Sequence, residues 1–175
     1  MATVEGMWTV KVRIVLFLMG LSALALVSGC SFFGGDEPDY THWEPALSPD
    51  GRALAYESPT EESLELFLRD LDSGDQRRLT QNESPDWSPT WAPTGDRLAF
   101  ASSRDENVDI YVIHLDDLRV ERLTTHEKDD INPDWGADGR VYFNSNRSGV
   151  WEIYAIDPVD FTLIKITQVV DSSGG

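Results

Sequence analysis

The stretch Pro85–Thr124 reads PDWSPTWAPTGDRLAFASSRDENVDIYVIHLDDLRVERLT, and it divides into four short strands separated by turn residues. Trp87 and Trp91 stand on the first strand. Pro93, Thr94 and Gly95 make the turn after it, because Pro presets φ and Gly accepts a positive one. Leu98–Ser102, Val108–Leu115 and Val120–Thr124 supply the remaining three strands. The unit occurs once before and once after this stretch. Gly51, Gly95 and Gly139 are spaced by 44 residues, as are Pro45, Pro89 and Pro133. Phe67, Tyr111 and Tyr154 are spaced by 44 and 43, and so are Thr80, Thr124 and Thr167. The residue lost from the third copy lies in its second strand. A fixed period in the low forties with four strands per unit is the pattern of β-propeller blades. The expected fold is therefore all-β, with three four-stranded antiparallel blades forming a partial propeller.

The repeats divide the chain into blades 43–80, 81–124 and 125–167, followed by a polar tail 168–175. In the first blade, Asp70 to Asp75 has the spacing of a calcium loop, but its twelfth position is Gln81 and no helix flanks it. A hairpin turn is expected there. Apolar residues occupy both parities of Leu64–Leu68, as a strand sandwiched between two neighbouring blades requires.

Composition narrows the partners. The 175 residues carry a formal net charge of −17, which argues against nucleic acid as the main partner. Such a surface suits either an acidic secreted protein or one adapted to high salt. The single cysteine, Cys30, cannot form an internal disulfide.

Lys11 and Arg13 precede an apolar run from Ile14 to Val27, and no charge appears between Arg13 and Asp36. A basic start, a short apolar run and small residues at a boundary describe a secretory signal over 1–29. The boundary sequence Val27-Ser28-Gly29-Cys30 resembles the lipobox of bacterial lipoproteins. That resemblance implies cleavage before Cys30, acylation of Cys30, and a membrane attachment held by two or three acyl chains. Residues 30–42 then read as the acylated cysteine and a flexible tether. Ser31 resembles the family's usual signal for outer-membrane sorting in diderm envelopes, facing the periplasm. The rival reading is an uncleaved transmembrane anchor.

SPDGRALAYES, APTGDRLAFASSRD and GADGRVYFNSNRSG, each followed by an aromatic strand and a Leu-Thr or Ile-Thr ending, resemble the WD-like repeats of TolB-type propellers. The resemblance covers residues 43–167. It implies a non-catalytic platform in the cell envelope that binds proteins or ligands. The alternative it leaves open is a propeller hydrolase or lyase completed by dimerisation.

Candidate chemistry is sparse. No Gly-x-Ser-x-Gly elbow exists, and His42, His114 and His126 are the only histidines. The expectation is no catalytic set, no metal and no cofactor. Arg104 and Arg147 occupy equivalent positions after the second strand of their blades, where the first blade has Thr60. They could read a partner's carboxylate, or tie their loop to an acid such as Asp105. Glu127, Asp129 and Asp130 make the same rim acidic. Arg104, Arg147, Glu127, Asp129 and Asp130 are therefore the candidate binding rim. Closed propellers usually have about four to eight blades, so three blades suggest a homodimer or a cap of another envelope protein.

Overall fold

In the computed structural model, residues 43–167 are described, and they form twelve strands in three antiparallel sheets. The first sheet contains β1 (Trp43–Leu47), β2 (Ala53–Pro59), β3 (Leu64–Asp70) and β4 (Gln76–Arg78). The second contains β5 (Asp86–Trp91), β6 (Arg97–Ser102), β7 (Asp109–His114) and β8 (Val120–Arg122). The third contains β9 (Asp130–Trp135), β10 (Val141–Ser145), β11 (Glu152–Ile156) and β12 (Leu163–Lys165). Strand order follows chain order in every sheet, so each is a meander made of hairpins. Innermost strands β1, β5 and β9 lie side by side, and successive sheets stack face to face behind them. The three blades of the sequence reading are these three sheets.

Each inner strand carries a bulge. Glu44, Ser88 and Asn132 have φ of 48°, 52° and 52°, and strand pairing shifts register beside them. The residue after each is Pro45, Pro89 or Pro133. A proline has no N–H to give a ladder, so it fits where a bulge interrupts one. The proline spacing thus marks a bend that aims the inner strands.

The core lies between blades. Ala55, Leu66 and Leu79 of the first blade pack with Trp91, Leu98, Phe100, Tyr111 and Ile113 of the second. Ala99, Ala101, Ile110, Val112 and Leu123 of the second pack with Trp135, Val141, Phe143, Tyr154 and Ile156 of the third. The second interface repeats the first one blade further on. β7 is buried on both faces because it takes part in both.

The fourth strands are shorter than the sequence suggests. Thr124 falls beyond β8 because its hydroxyl, rather than its backbone alone, continues the pairing: Oγ1 accepts from the Ile110 N–H at 3.0 Å. Asp70–Asp75 is a hairpin turn in which Asp70 Oδ1 accepts from the N–H groups of Asp72 and Ser73. Cys30, the signal segment, the tether with His42 and the tail 168–175 lie outside the described residues.

Candidate functional site

Turn geometry places the β2–β3 and β6–β7 loops and the two blade-to-blade connections on one end of the sheets. Here the sequence reading placed its candidate rim. The structure divides those residues into two groups.

Arg104 and Arg147 are each bound to a buried acid of their own blade. Nη2 of Arg104 lies 2.8 Å from both carboxylate oxygens of Asp86, and its Nε donates to Ser102 Oγ at 2.9 Å. The guanidinium stacks 4.7 Å from the Tyr111 ring centre and 5.4 Å from that of Phe100. Arg147 repeats this with Asp130 at 3.0 and 2.8 Å, Ser145 at 2.9 Å, and the rings of Tyr154 and Phe143 at 4.7 and 5.4 Å. The bound acid is therefore Asp86 or Asp130, not Asp105. Asp105 instead accepts from the Tyr111 hydroxyl and pairs with Arg122 at 3.2 Å. Asp130 is fully buried and so is not part of an acidic rim. The first blade has no arginine here. Thr60 closes its loop locally, donating to Ser63 O at 2.8 Å and accepting from the N–H of Ser63 at 3.1 Å.

A second set of braces escaped the sequence reading. The buried acid that opens each third strand binds a base on the fourth strand and works with the threonine that ends the blade. In the second blade Arg122 Nη2 lies 2.5 Å from Asp109 Oδ2, and Thr124 Oγ1 donates to Asp109 Oδ1 at 3.0 Å. Burial pushes the Asp109 carboxyl up, while Arg122 and Thr124 pull it back. In the first blade Arg78 is 3.0 Å from Glu65 and Thr80 donates to Glu65 at 2.6 Å. In the third, Lys165 is 2.6 Å from Glu152, and Thr167 accepts the Ile153 N–H at 2.8 Å. The signal for these sets was present in the 44- and 43-residue spacing of Glu65, Asp109 and Glu152.

Exposed acids remain on the rim. Glu127 is exposed as expected, and Asp129 is half-buried with Oδ1 accepting from the Val108 N–H at 3.2 Å. Sequence reasoning missed Glu61, Glu62, Glu83, Asp105 and Glu106, all exposed on the same loops. Asn107 holds two of these loops together by donating to the carbonyls of His126 and Lys128, both at 3.0 Å. At the inner strands, Glu57 is buried and accepts from the Ser88 N–H at 2.8 Å, while the Ser88 hydroxyl donates to Glu44. Burial raises the Glu57 carboxyl to about 7, opposed by the Ser88 N–H and reinforced by Glu44.

Histidines stay apart. His114 ends β7 beside Glu121 and Arg119, and His126 Nδ1 accepts from the Lys128 N–H at 3.1 Å. A cleft of about 470 Å³ runs past Arg122, Thr124, His126, Arg147, Phe161 and Leu163. Its two arginines are those already held by Asp109 and Asp130. Among the described residues no three His, Cys, Asp or Glu side chains are grouped as metal ligands.

A family model described as the TolB beta propeller domain matches residues 37–171. Among solved structures, TolB from Acinetobacter baumannii is 26% identical with a TM-score of 0.65, over 73% of this chain and 32% of that one. A putative TolB from Agrobacterium tumefaciens is 29% identical with a TM-score of 0.66, over 71% of this chain and 46% of that one. A puromycin-hydrolyzing peptidase of Mycobacterium tuberculosis shares the fold at 18% identity and a TM-score of 0.62, over 82% of this chain and 23% of that one. The chain thus spans less than half the length of each. No curated protein matches it.

Proposed function

Given that this chain belongs to the TolB beta propeller family, we propose that it is a lipid-anchored cell-envelope module that binds a protein or ligand without catalysing a reaction. Cys30 carries the anchor, which in a diderm envelope holds the module at the outer membrane facing the periplasm. The loop rim makes the contact. One observation carries this reading: four arginines on that end are turned onto buried acids, while acids far outnumber Lys128 among the charges facing outward. Arg78, Arg104, Arg122 and Arg147 brace Glu65, Asp86, Asp109 and Asp130. Glu61, Glu83, Glu106 and Glu127 remain exposed around them. A rim of one sign attracts a partner of the other over several ångströms and speeds its encounter. The partner's matching face is therefore basic.

A photo-crosslinker at Glu106 in cells making the full chain tests the reading, with one at Asp116, on the opposite end, as control. The expected result is protein adducts from Glu106 that fade in raised salt, with none from Asp116. Equal yields from the two ends would overturn it. The anchor is read separately: mass spectrometry should find a chain beginning at acylated Cys30, and Cys30→Ala should leave residues 1–29 attached. The second reading, an envelope hydrolase or lyase, is favoured by the fold shared with propeller enzymes such as the puromycin-hydrolyzing peptidase and an oligogalacturonate lyase. Turnover of puromycin by the purified full chain would support it.

A further inference from the structure

Two adjoining clefts of about 470 and 520 Å³ share Arg122, Leu123 and Phe161, and together they form one groove between the second and third blades. It runs beside β8 and its continuation, from Arg97 and Pro158 at the turn end to Thr125 and His126 at the rim. Both walls lie within residues 43–167. Between the first and second blades the corresponding place is bridged, because Arg77 reaches across and its Nη2 donates to the Leu115 carbonyl at 3.0 Å. One blade further on, Glu121 stands at Arg77's position and Pro158 at Leu115's. A carboxylate has no donor to offer that carbonyl, so the groove stays open there. Glu121 pairs with Arg119 instead.

Arg97 lines this opening in an unusual state. Its guanidinium carbon lies 5.0 Å from the Trp135 ring centre, and its side chain is only 26% exposed. The Nε is buried and has no hydrogen-bond partner among the described residues. Asp96 Oδ1 is 3.6 Å away, too far for a hydrogen bond, and accepts from the Thr94 hydroxyl. The other two arginines of the groove, Arg122 and Arg147, are held by Asp109 and Asp130. Phe161 forms the opposite wall. It is 58% exposed and is held at φ 61°, the left-handed turn position that Gly74 and Leu118 take in the other blades. A bulky residue is strained there, and strain of this kind gathers at ligand clamps.

We propose that this groove binds the C-terminal end of an extended peptide, with the terminal carboxylate on Arg97 and an apolar last side chain against Val112, Leu123, Val159 and Phe161. A guanidinium presents a flat fork of donors that fits a carboxylate, and stacking on Trp135 fixes it beforehand. Glu121 does not oppose the carboxylate, since Arg119 already meets its charge. Thr125 and His126 lie further along the groove, so an occupant with polar groups along its length suits it better than a bare alkyl chain. The proposal is independent of the rim, because its charged group is a base at the opposite end of the blades.

The test uses the full chain in lipid nanodiscs and the tripeptide acetyl-Ala-Val-Phe with a fluorinated ring, followed by fluorine NMR against empty nanodiscs. The free acid should bind, and its C-terminal amide should bind about tenfold more weakly. Arg97→Gln should lower the free acid to the level of the amide and leave the amide unchanged, which a general structural loss would not do. Asp96→Asn removes the neighbouring acid and should tighten the free acid by about two- to threefold. Phe161→Gly should weaken both forms while its unfolding midpoint stays level or rises, since glycine accepts the left-handed backbone freely. Should Arg97→Gln fail to fold, the preference for acid over amide and the gain in Asp96→Asn decide the matter. Equal binding of acid and amide, free-acid binding untouched by Arg97→Gln, no binding of either form, or decanoate binding more tightly than the peptide would each overturn the proposal.

Discussion

Replacing Arg104 by alanine removes the base from a carboxylate that has no route to bulk water. Asp86 is fully buried, and its remaining side-chain donor is Asn82 Nδ2 at 2.7 Å. Stranding a buried charge costs about 3–5 kcal/mol. The surviving Asn82 bond and the opening left by a side chain that is 24% exposed favour the lower end. Loss of the cation over Tyr111 adds roughly 0.5 kcal/mol. The expected loss is therefore about 3.5 kcal/mol. Unfolding entropy near 2.1 cal/mol/K per residue gives about 0.26 kcal/mol/K for the 125 residues 43–167, so the midpoint should fall by about 13 °C. Thermal unfolding followed by circular dichroism reads this, at one fixed chain concentration. The double variant Asp86→Asn with Arg104→Ala should recover roughly half the loss, since the stranded charge is then absent. A single-variant loss under about 1 kcal/mol, or a double variant equal to the sum of the singles, would refute the brace.

Three further outcomes follow from the same structure. Thr124→Val keeps the shape but strands the Ile110 N–H and half of the Asp109 bonding, so it should cost about 2 kcal/mol; Thr167→Val, on the exposed third blade, should cost under about 1, as chemical denaturation will show. Glu57 has its folded value raised to about 7 from an ordinary 4.5, so the folded state holds its proton longer than the unfolded one. Its contribution is full below pH 4.5, is lost as pH rises to 7, and is absent in Glu57→Gln; the ceiling of roughly 3 kcal/mol falls to about 1–2 with screening beside exposed Glu44. Gly139→Ala should cost about 1 kcal/mol in thermal unfolding, from its φ of 87° alone, since nothing lies within 4 Å of the added carbon.

The fold was legible because a propeller blade repeats its turns. Gly51, Gly95 and Gly139 all hold positive φ, and no other residue type does so as readily, so identity itself recurs. Prolines 45, 89 and 133 recur for a related reason, the bulge beside them. The braces were less legible because their chemistry recurs without identity: Glu65, Asp109 and Glu152 alternate in length, and Lys165 replaces arginine. Partner choice was the hardest part. Asp105 is next to Arg104 in the chain, but Asp86, eighteen residues earlier, is next to it in space. Strand pairing brings Asp86 opposite Ser102, and only that register places the acid beneath the guanidinium. The same effect misplaced Asp130, which reads as one of three loop acids yet begins β9 and faces inward.

Charge is divided in this fold between acids bound to bases inside the blades and acids left bare on the rim. Carbodiimide coupling of an amine to the carboxylates of the folded full chain, followed residue by residue by mass spectrometry, measures that division directly. Glu61, Glu83, Glu106 and Glu127 should couple rapidly, and Glu65, Asp86, Asp109 and Asp130 should be protected, with Asp86 alone losing protection in Arg104→Ala. Coupling of those four buried acids at the rate of the rim would contradict the account.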